Sequence, residues 1–403
     1  MTIPNTTHNV PKLLILKFSK SFMLFMPIIV LFYQDNGLTL AQIMLMQSLY
    51  SIAIVVFEVP SGYYADRVNR KSSLTIGTML NLIGCVILSI SHNFLGFLTG
   101  LFIGGIGTSF ISGTDSALLY DSLLANDKED EYVKWQGRIY SLGNFSEAIA
   151  AVIGGGLASL MGLRSPIIGQ IAIASLGVLA AITLVEPPTK ERQIKHVNGI
   201  RHFLEFMRSI FIVNAALRWS VLLSAISGSS ALILAWFAQP YLKNLGLDEF
   251  WVGIIWGALN LTVALVSLES HRIYKTLGHK RTIALIPILI MIGHMLLGSI
   301  SHISIYIGIS ALFMLYVVRG VSGPTLKNLI NQLTTSEMRA TVLSARSLLI
   351  RIFYAISSPF LGWVADIYTL SQAFILSGIL FGTFGILSMM MFRSKAQSIS
   401  LQR

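Results

Sequence analysis

The sequence predicts an all-α membrane protein, with twelve transmembrane helices in two pseudo-symmetric six-helix bundles. Three observations predict it. Of the 403 residues, 54% are hydrophobic and 12% charged, with a mean hydropathy of +0.71; a soluble domain carries about twice that charged fraction. The apolar residues gather into twelve runs, most of them long enough to cross a ~30 Å hydrocarbon layer as a helix. The cations collect in alternate loops between those runs.

The first run, about 12–34, reads as a retained helix, because no short apolar region with a small-residue cleavage site precedes it. Runs follow at about 39–64, 72–92, 94–123, 134–162 and 165–185, then at 216–241, 248–276, 282–301, 304–333, 341–367 and 371–392. Short polar turns such as Gln34-Asp35-Asn36-Gly37, Ser91-His92-Asn93 and Ser301-His302 make neighbouring spans antiparallel. The connection 186–215 differs. It opens Glu186-Pro187-Pro188, is rich in cations, and from His202 to Arg208 alternates apolar and charged groups at roughly helical spacing. This reads as a cytoplasmic linker with an interfacial amphipathic helix. It divides the chain into an N-terminal bundle (1–185) and a C-terminal bundle (216–403).

Orientation follows from the cations. With the N-terminus inside, the outside turns hold only Arg164 and Lys243 of the 29 Lys and Arg residues. Arg67, Arg70, Lys71, Lys128, Lys134, Lys190, Arg201, Lys280, Arg281, Arg339 and Arg393 all fall inside, which places both termini in the cytoplasm. The net charge of +11 therefore points to the anionic inner leaflet and not to nucleic acid. The single cysteine, Cys85, lies in an apolar run and excludes an intrachain disulfide framework or a cysteine-based metal cluster. No phosphate-binding Gly-x-x-x-x-Gly-Lys-Ser/Thr loop is present, so ATP is not the expected energy source, and no cofactor or bound metal is expected.

One stretch between the second and third runs is more specific. Gly62-Tyr63-Tyr64-Ala65-Asp66-Arg67-Val68-Asn69-Arg70-Lys71 places three cations and a carboxylate in a short loop that opens at a glycine. Gly62 is expected to let two helix ends approach, and Asp66 to cap a neighbouring helix N-terminus, where an anion is favoured. The pattern resembles motif A of the major facilitator superfamily, with the final cations one residue early. His271 to Arg281 forms a degenerate second copy in the other half. The resemblance implies a transporter with its substrate path between the halves near the midplane.

Ionisable groups inside spans cost at least ~2.5–3.5 kcal/mol each on insertion scales, so each is a functional candidate. Glu58 either serves the Gly62 cluster or lines the inner mouth. Asp121, near the inside end of the fourth span, is expected to pair with a cation such as Arg70. Asp115 lies nearly two turns deeper in a Ser/Thr/Asp patch, which resembles a bacterial subgroup of the superfamily containing drug and metabolite exporters. Glu147 lies about 14–20 Å in from Lys134 and Arg138, near the midplane. Desolvation there penalises the charged form and suits proton uptake and release, so Glu147 and Asp115 are the proton-coupling candidates; a permanently paired acid is the other reading of Glu147. Arg319 and Arg351 are the deep cations of the second half, and Glu269 is expected to pair with Arg346 or Lys327. First-half acids and second-half cations invite ion pairs that break and re-form. Gln47, Tyr50, Trp236, Gln239, Trp256, Asn260 and Tyr354 form a candidate surface for an amphipathic organic solute.

Two other superfamily signatures are missing. The arginine often found early in the fourth span falls near Leu101, and the Gly-Pro pair of the antiporter signature is replaced by Ala151 and Val152 ahead of Gly155-Gly156. The resemblance thus carries the fold and the general role further than it carries proton antiport or direction. The expectation is a monomeric, non-enzymatic, proton-coupled exporter of a drug-like or metal-chelating metabolite in a plasma or bacterial inner membrane, with uptake, or a non-transporting receptor, as the alternatives. Arg351→Ala should impair transport and alter its pH dependence; vesicle uptake with both unchanged would remove Arg351 from the machinery.

Overall fold

A computed structural model describes residues 8–187, 215–299, 304–335 and 338–400. All regular structure among these residues is helical. The first half contributes α1 (Asn9–Ser21), α2 (Ile29–Asp35), α3 (Leu40–Arg67), α4 (Arg70–Ile90), α5 (Phe94–Ile111), α6 (Thr114–Leu124), α7 (Tyr132–Met161) and α8 (Ser165–Thr183). The second contributes α9 (Ala215–Asn244), α10 (Glu249–Leu277), α11 (His279–Ser299), α12 (Ile305–Gln332), α13 (Arg339–Ile367) and α14 (Leu370–Ser400). The amphipathic helix expected at 202–208 lies outside the described residues. Among the described residues eleven segments are long and apolar enough to cross a membrane, with α5 and α6 together making one of them. The chain forms two compact units, Met1–Gln193 with Leu242–Ala258, and Ile194–Tyr241 with Leu259–Arg403.

The expected first span, 12–34, is not one helix. It stops at Ser21 and resumes at Ile29. Pro27 supplies no N–H to the helical ladder. The exposed backbone is satisfied by protein: the Leu24 N–H donates to the buried Gln170 Oε1 at 2.9 Å. A Cβ at Gly154 of α7 would lie 1.8 Å from the Leu24 carbonyl oxygen, so only glycine admits this backbone. The fourth span is also broken, between α5 and α6, where Gly113 has φ +77°. Irregular backbone at membrane depth persists only where protein or a water-filled cavity receives its polar groups.

Elsewhere in the first unit the helices meet through small residues, as close packing in lipid favours. α4 and α5 approach so closely that a Cβ on Gly77 would be 2.7 Å from the Gly107 carbonyl and one on Gly84 2.7 Å from that of Gly100. Gly155 of α7 meets Gly253 of α10 in the same way, with its built Cβ 2.8 Å from the Gly253 Cα. In the second unit Phe374 is a hub, with Phe237, Tyr241 and His294 ring centroids at 5.7, 5.5 and 6.1 Å. Hydroxyl bonds from Ser229 to the Ile350 carbonyl (2.8 Å) and from Ser267 to the Gly320 carbonyl (3.0 Å) cross between helices there.

Arg164, between α7 and α8, ties one end of the first unit together. Its guanidinium donates to the carbonyls of Ser89 (2.6 Å) and Ser91 (2.9 Å), which are end groups of α4. It also donates to Asn36 Oδ1 (2.9 Å), contacts His92 Nδ1 (3.0 Å), and lies 4.9 Å from the centre of the Phe32 ring. These carbonyls have no helical partner of their own. Arg164→Ala should therefore destabilise the protein by about 2–4 kcal/mol, read as a lower melting midpoint, whereas His92→Ala should cost below about 1 kcal/mol.

Candidate functional site

The stretch around Gly62 is more helical than expected. α3 continues through Gly62 to Arg67, and only Val68 and Asn69 separate it from α4. Asn69 makes so short a connection workable, since its Oδ1 accepts from the Ser72 N–H at 2.5 Å and caps α4. A Cβ at Gly62 meets no atom within 4 Å among the described residues, so Gly62 makes no close approach in this conformation. Asp66 and Glu58 are exposed, and Arg67 stacks on Tyr63 with 5.3 Å from its guanidinium to the ring centre.

Arg70 and Asp121 form an ion pair at 2.5 Å, largely shielded from solvent, and Arg70 also donates to the Ala117 carbonyl. Glu186, the first residue after the sixth span's Leu184-Val185, adds a contact that sequence reasoning missed. Its carboxylate accepts from the N–H groups of Arg70 (3.0 Å) and Lys71 (2.7 Å), a two-oxygen cap on the positive end of α4. Buried Asn9 extends the knot, donating to Ser122 Oγ (2.8 Å) and the Val185 carbonyl (2.7 Å) and accepting from the Val185 N–H (2.9 Å). The starts of α1 and α4, the end of α6 and the chain after α8 are thereby fastened at one end of the unit.

Deeper along the same helices lies a pocket of about 140 Å³, lined by Leu13, Lys17, Asp115, Ser116, Gln136, Ile139 and Tyr140. α1 supplies Lys17, and α7 supplies Gln136 and Tyr140. Asp115 occupies the first turn of α6, directly after the Gly113 break, where the helix dipole favours a carboxylate. Its Oδ1 accepts from the Ser116 N–H at 2.8 Å. Gln136 Nε2 donates to Ser116 Oγ at 3.1 Å. Lys20, half-buried one turn beyond Lys17, is within electrostatic reach of Asp115 and Lys17. The two lysines were absent from the expected site. Two cations three residues apart inside an apolar run were the signal available for them.

Glu147 lies further along α7. It shares one stripe of the helix with buried Gly143, Ala151, Gly154 and Ala158, while Phe145 and Ile149 occupy the opposite, exposed side. The Lys17 side chain lies over that stripe: a Cβ on Gly143, one turn before Glu147, would be 2.6 Å from its Cε and 3.3 Å from its Nζ. Lys17 thus reaches from α1 to the inner stripe of α7, one turn before Glu147.

The remaining candidates separate by burial. Gln47, Gln239, Trp256 and Tyr354 are 4%, 0%, 2% and 1% exposed, so protein encloses them in this conformation. Tyr50, Trp236 and Asn260 are half-buried, and the Tyr50 hydroxyl meets Thr108 Oγ1 at 3.3 Å. Glu269 pairs with Arg272, its i+3 neighbour on α10, at 2.9 Å, and not with Arg346 or Lys327 as expected. Helical spacing presents Arg272 to it on an exposed surface, while Arg346 donates to Ser224. Arg319 stacks on Tyr316 at 5.5 Å, and Arg351 is half-buried.

Comparisons with known proteins agree with this architecture. An uncharacterized MFS-type transporter of Methanocaldococcus jannaschii is 24% identical over 375 residues, covering 90% of this chain and 92% of its own. The quinolone resistance protein NorA of Staphylococcus aureus is 22% identical over 167 residues, 41% of this chain and 42% of NorA. Among solved structures, a nucleoside transporter, NupG, superposes with a TM-score of 0.79 at 15% identity, covering 96% of this chain and 100% of that one. A bacterial homolog of the human lysosomal transporter Spinster gives 0.78 at 14% identity over 100% and 99% of the two chains. The profile of the Major Facilitator Superfamily matches residues 18–352. With that match on top of the all-helical, many-span architecture, the chain belongs to the Major Facilitator Superfamily.

Proposed function

We propose that the protein is a secondary active transporter that moves a small organic solute by alternating access, with protons as the coupling ion and export as the direction. It lies in a plasma or bacterial inner membrane with both termini cytoplasmic, carries out no catalysis, and works as a monomer. The observation that carries this reading is that Lys17 and Asp115 line one pocket within apolar helices, with Lys20 and Glu147 further along the same α1 and α7. Charges in such a setting are costly and mark solute or ion pathways. Family membership supports transport in general. The similarity to NorA over part of the chain supports export of a drug-like solute, and the metal-chelating class rests on the look of the second and fourth spans.

Protons enter through Glu147 and Asp115. Glu147 lies on the stripe of α7 that carries its buried small residues, one turn beyond Gly143 and the Lys17 side chain. Asp115 is held by a helix N-terminus and faced by Lys20, so its protonation would loosen that attraction. Counterflow in proteoliposomes with a labelled quinolone as the probe tests the transport step, and a deletion strain grown against toxic compounds and under iron limitation searches for other solutes. A receptor exchanges no label, and inside-out vesicles with an imposed pH gradient separate export from uptake. Glu147→Gln should retain counterflow while losing gradient-driven accumulation by about tenfold or more. A Glu147→Gln protein that concentrates the probe as well as wild type would exclude this residue from coupling.

A further inference from the structure

We propose that the end of the second unit formed by α10, α11 and α14 binds the headgroup of an anionic phospholipid, with the acyl chains laid along α10 and α11. Charge is unevenly divided along the sequence. Residues 1–187 hold ten Lys and Arg against eleven Asp and Glu, whereas residues 259–403 hold twelve against three. The positive excess therefore belongs to the second half and is not spread over both. In the first unit cations are answered in place, as Arg70 is by Asp121. Between Glu249 and Glu337, by contrast, the only acid is Glu269.

Three helices bring the unanswered cations together. α10 closes with exposed Arg272 and Lys275, Gly278 at φ +79° turns the chain, and α11 opens with exposed Lys280 and Arg281. Arg393 of α14 donates to the Lys280 carbonyl at 2.5 Å, which holds the end of α14 beside the start of α11. Glu269 is taken by Arg272 at 2.9 Å. Among the described residues Lys275, Lys280 and Arg281 make no ion pair within 4 Å. Such a cluster calls for an anion, and phosphate oxygens suit both the guanidinium fork and the ammonium point charge. The neighbouring surface selects a lipid as the bearer of that phosphate. Leu265, Leu268, Arg272 and Lys275 fall at helical spacing on one stripe of α10, with Leu265 56% and Leu268 79% exposed. Arg281, Leu285 and Ile288 form a matching exposed stripe on α11. Each stripe is cationic at the helix end and aliphatic along the span. A free phosphate would use the first part alone, whereas a phospholipid uses both, and anionic headgroups attract cations placed just beyond a span.

The test uses purified full-length protein, stripped of lipid in detergent, and three probes: dioctanoyl phosphatidylglycerol, dioctanoyl phosphatidylcholine and glycerol 3-phosphate. The first offers net charge and chains, the second chains without net charge, the third charge without chains. Phosphatidylglycerol should raise the melting midpoint in a concentration-dependent way, with much smaller shifts from the other two. Lys275→Gln combined with Arg281→Gln should weaken the apparent affinity for phosphatidylglycerol about tenfold or more. Lys134→Gln, which removes an exposed cation at the start of α7 in the first unit, should leave it within about twofold. Monodisperse gel filtration establishes that each variant is folded, and Lys275→Glu, a single exposed change, serves as a second variant with the same expected loss. A wild type that does not respond to phosphatidylglycerol, an equal shift with phosphatidylcholine, or an equal loss in Lys134→Gln overturns the proposal. So does a folded double variant that binds as wild type, and a full response to glycerol 3-phosphate makes the surface a free-anion site and not a lipid one.

Discussion

Everything in this protein answers to one constraint: in hydrocarbon, each backbone polar group and each charge must find its partner within the chain. Where helices are continuous the ladder does this unaided. Where they break, a particular residue steps in. Gln170 accepts from the Leu24 N–H at the gap between α1 and α2, and Gly154 admits the Leu24 carbonyl against α7. The Gly113 break exposes the N-terminus of α6, and Asp115 sits in its first turn. Each break therefore produces a half-helix end, which is a partial charge placed inside the membrane-spanning region. The pocket lies where the two broken spans adjoin α7.

The same rule explains the two ends of the first unit. At one, Arg164 gathers the terminal carbonyls of α4 together with Asn36 and Phe32. At the other, Glu186 caps α4 while Arg70 pairs with Asp121 and Asn9 joins α1 to α6. The chemistry differs in sign. One end is a cation on helix carbonyls, the other an anion on helix N–H groups, and each complements the dipole it meets. Because Glu186 is both a helix cap and the start of the interdomain connection, that connection is anchored to α4 at its first residue.

Much of this was legible in the residues. Apolar runs located the helices, and the Gly62–Lys71 stretch together with Asp121 pointed to the Arg70 pair. The break in 12–34 was not legible, because a run of apolar residues reads the same whether its helix is whole or interrupted, and Pro27 alone does not say where the freed N–H groups go. Gly62 read as a loop because Gly, Asp and Arg punctuate loops, yet two flanking helices with a one-residue Asn cap leave almost no loop to form. Gln239 and Trp256 show another limit, since composition does not reveal whether an amide or indole faces a cavity or a neighbouring helix. Lys17 and Lys20 lie inside the apolar run 12–34 and are legible as cations within a span, but nothing in the residues says that α1 ends at Ser21.

Placing charge in such a bundle has a scale that bears on its purpose. Each ionised group costs ~2.5–3.5 kcal/mol on insertion scales. Lys17, Lys20, Asp115 and Glu147 together reach on the order of 10 kcal/mol, comparable to the whole net stability of a typical domain. Mutual attraction offsets part of this, as between Asp115 and Lys20. A bundle optimised for packing would place leucine and alanine at Lys17, Lys20 and Glu147, whereas Asp115 also accepts from the Ser116 N–H at the start of α6, just after the Gly113 break. In the proposed transport function this cost has its reason in what the charges would bind and release, and the Gly113 break sets where Asp115 is held.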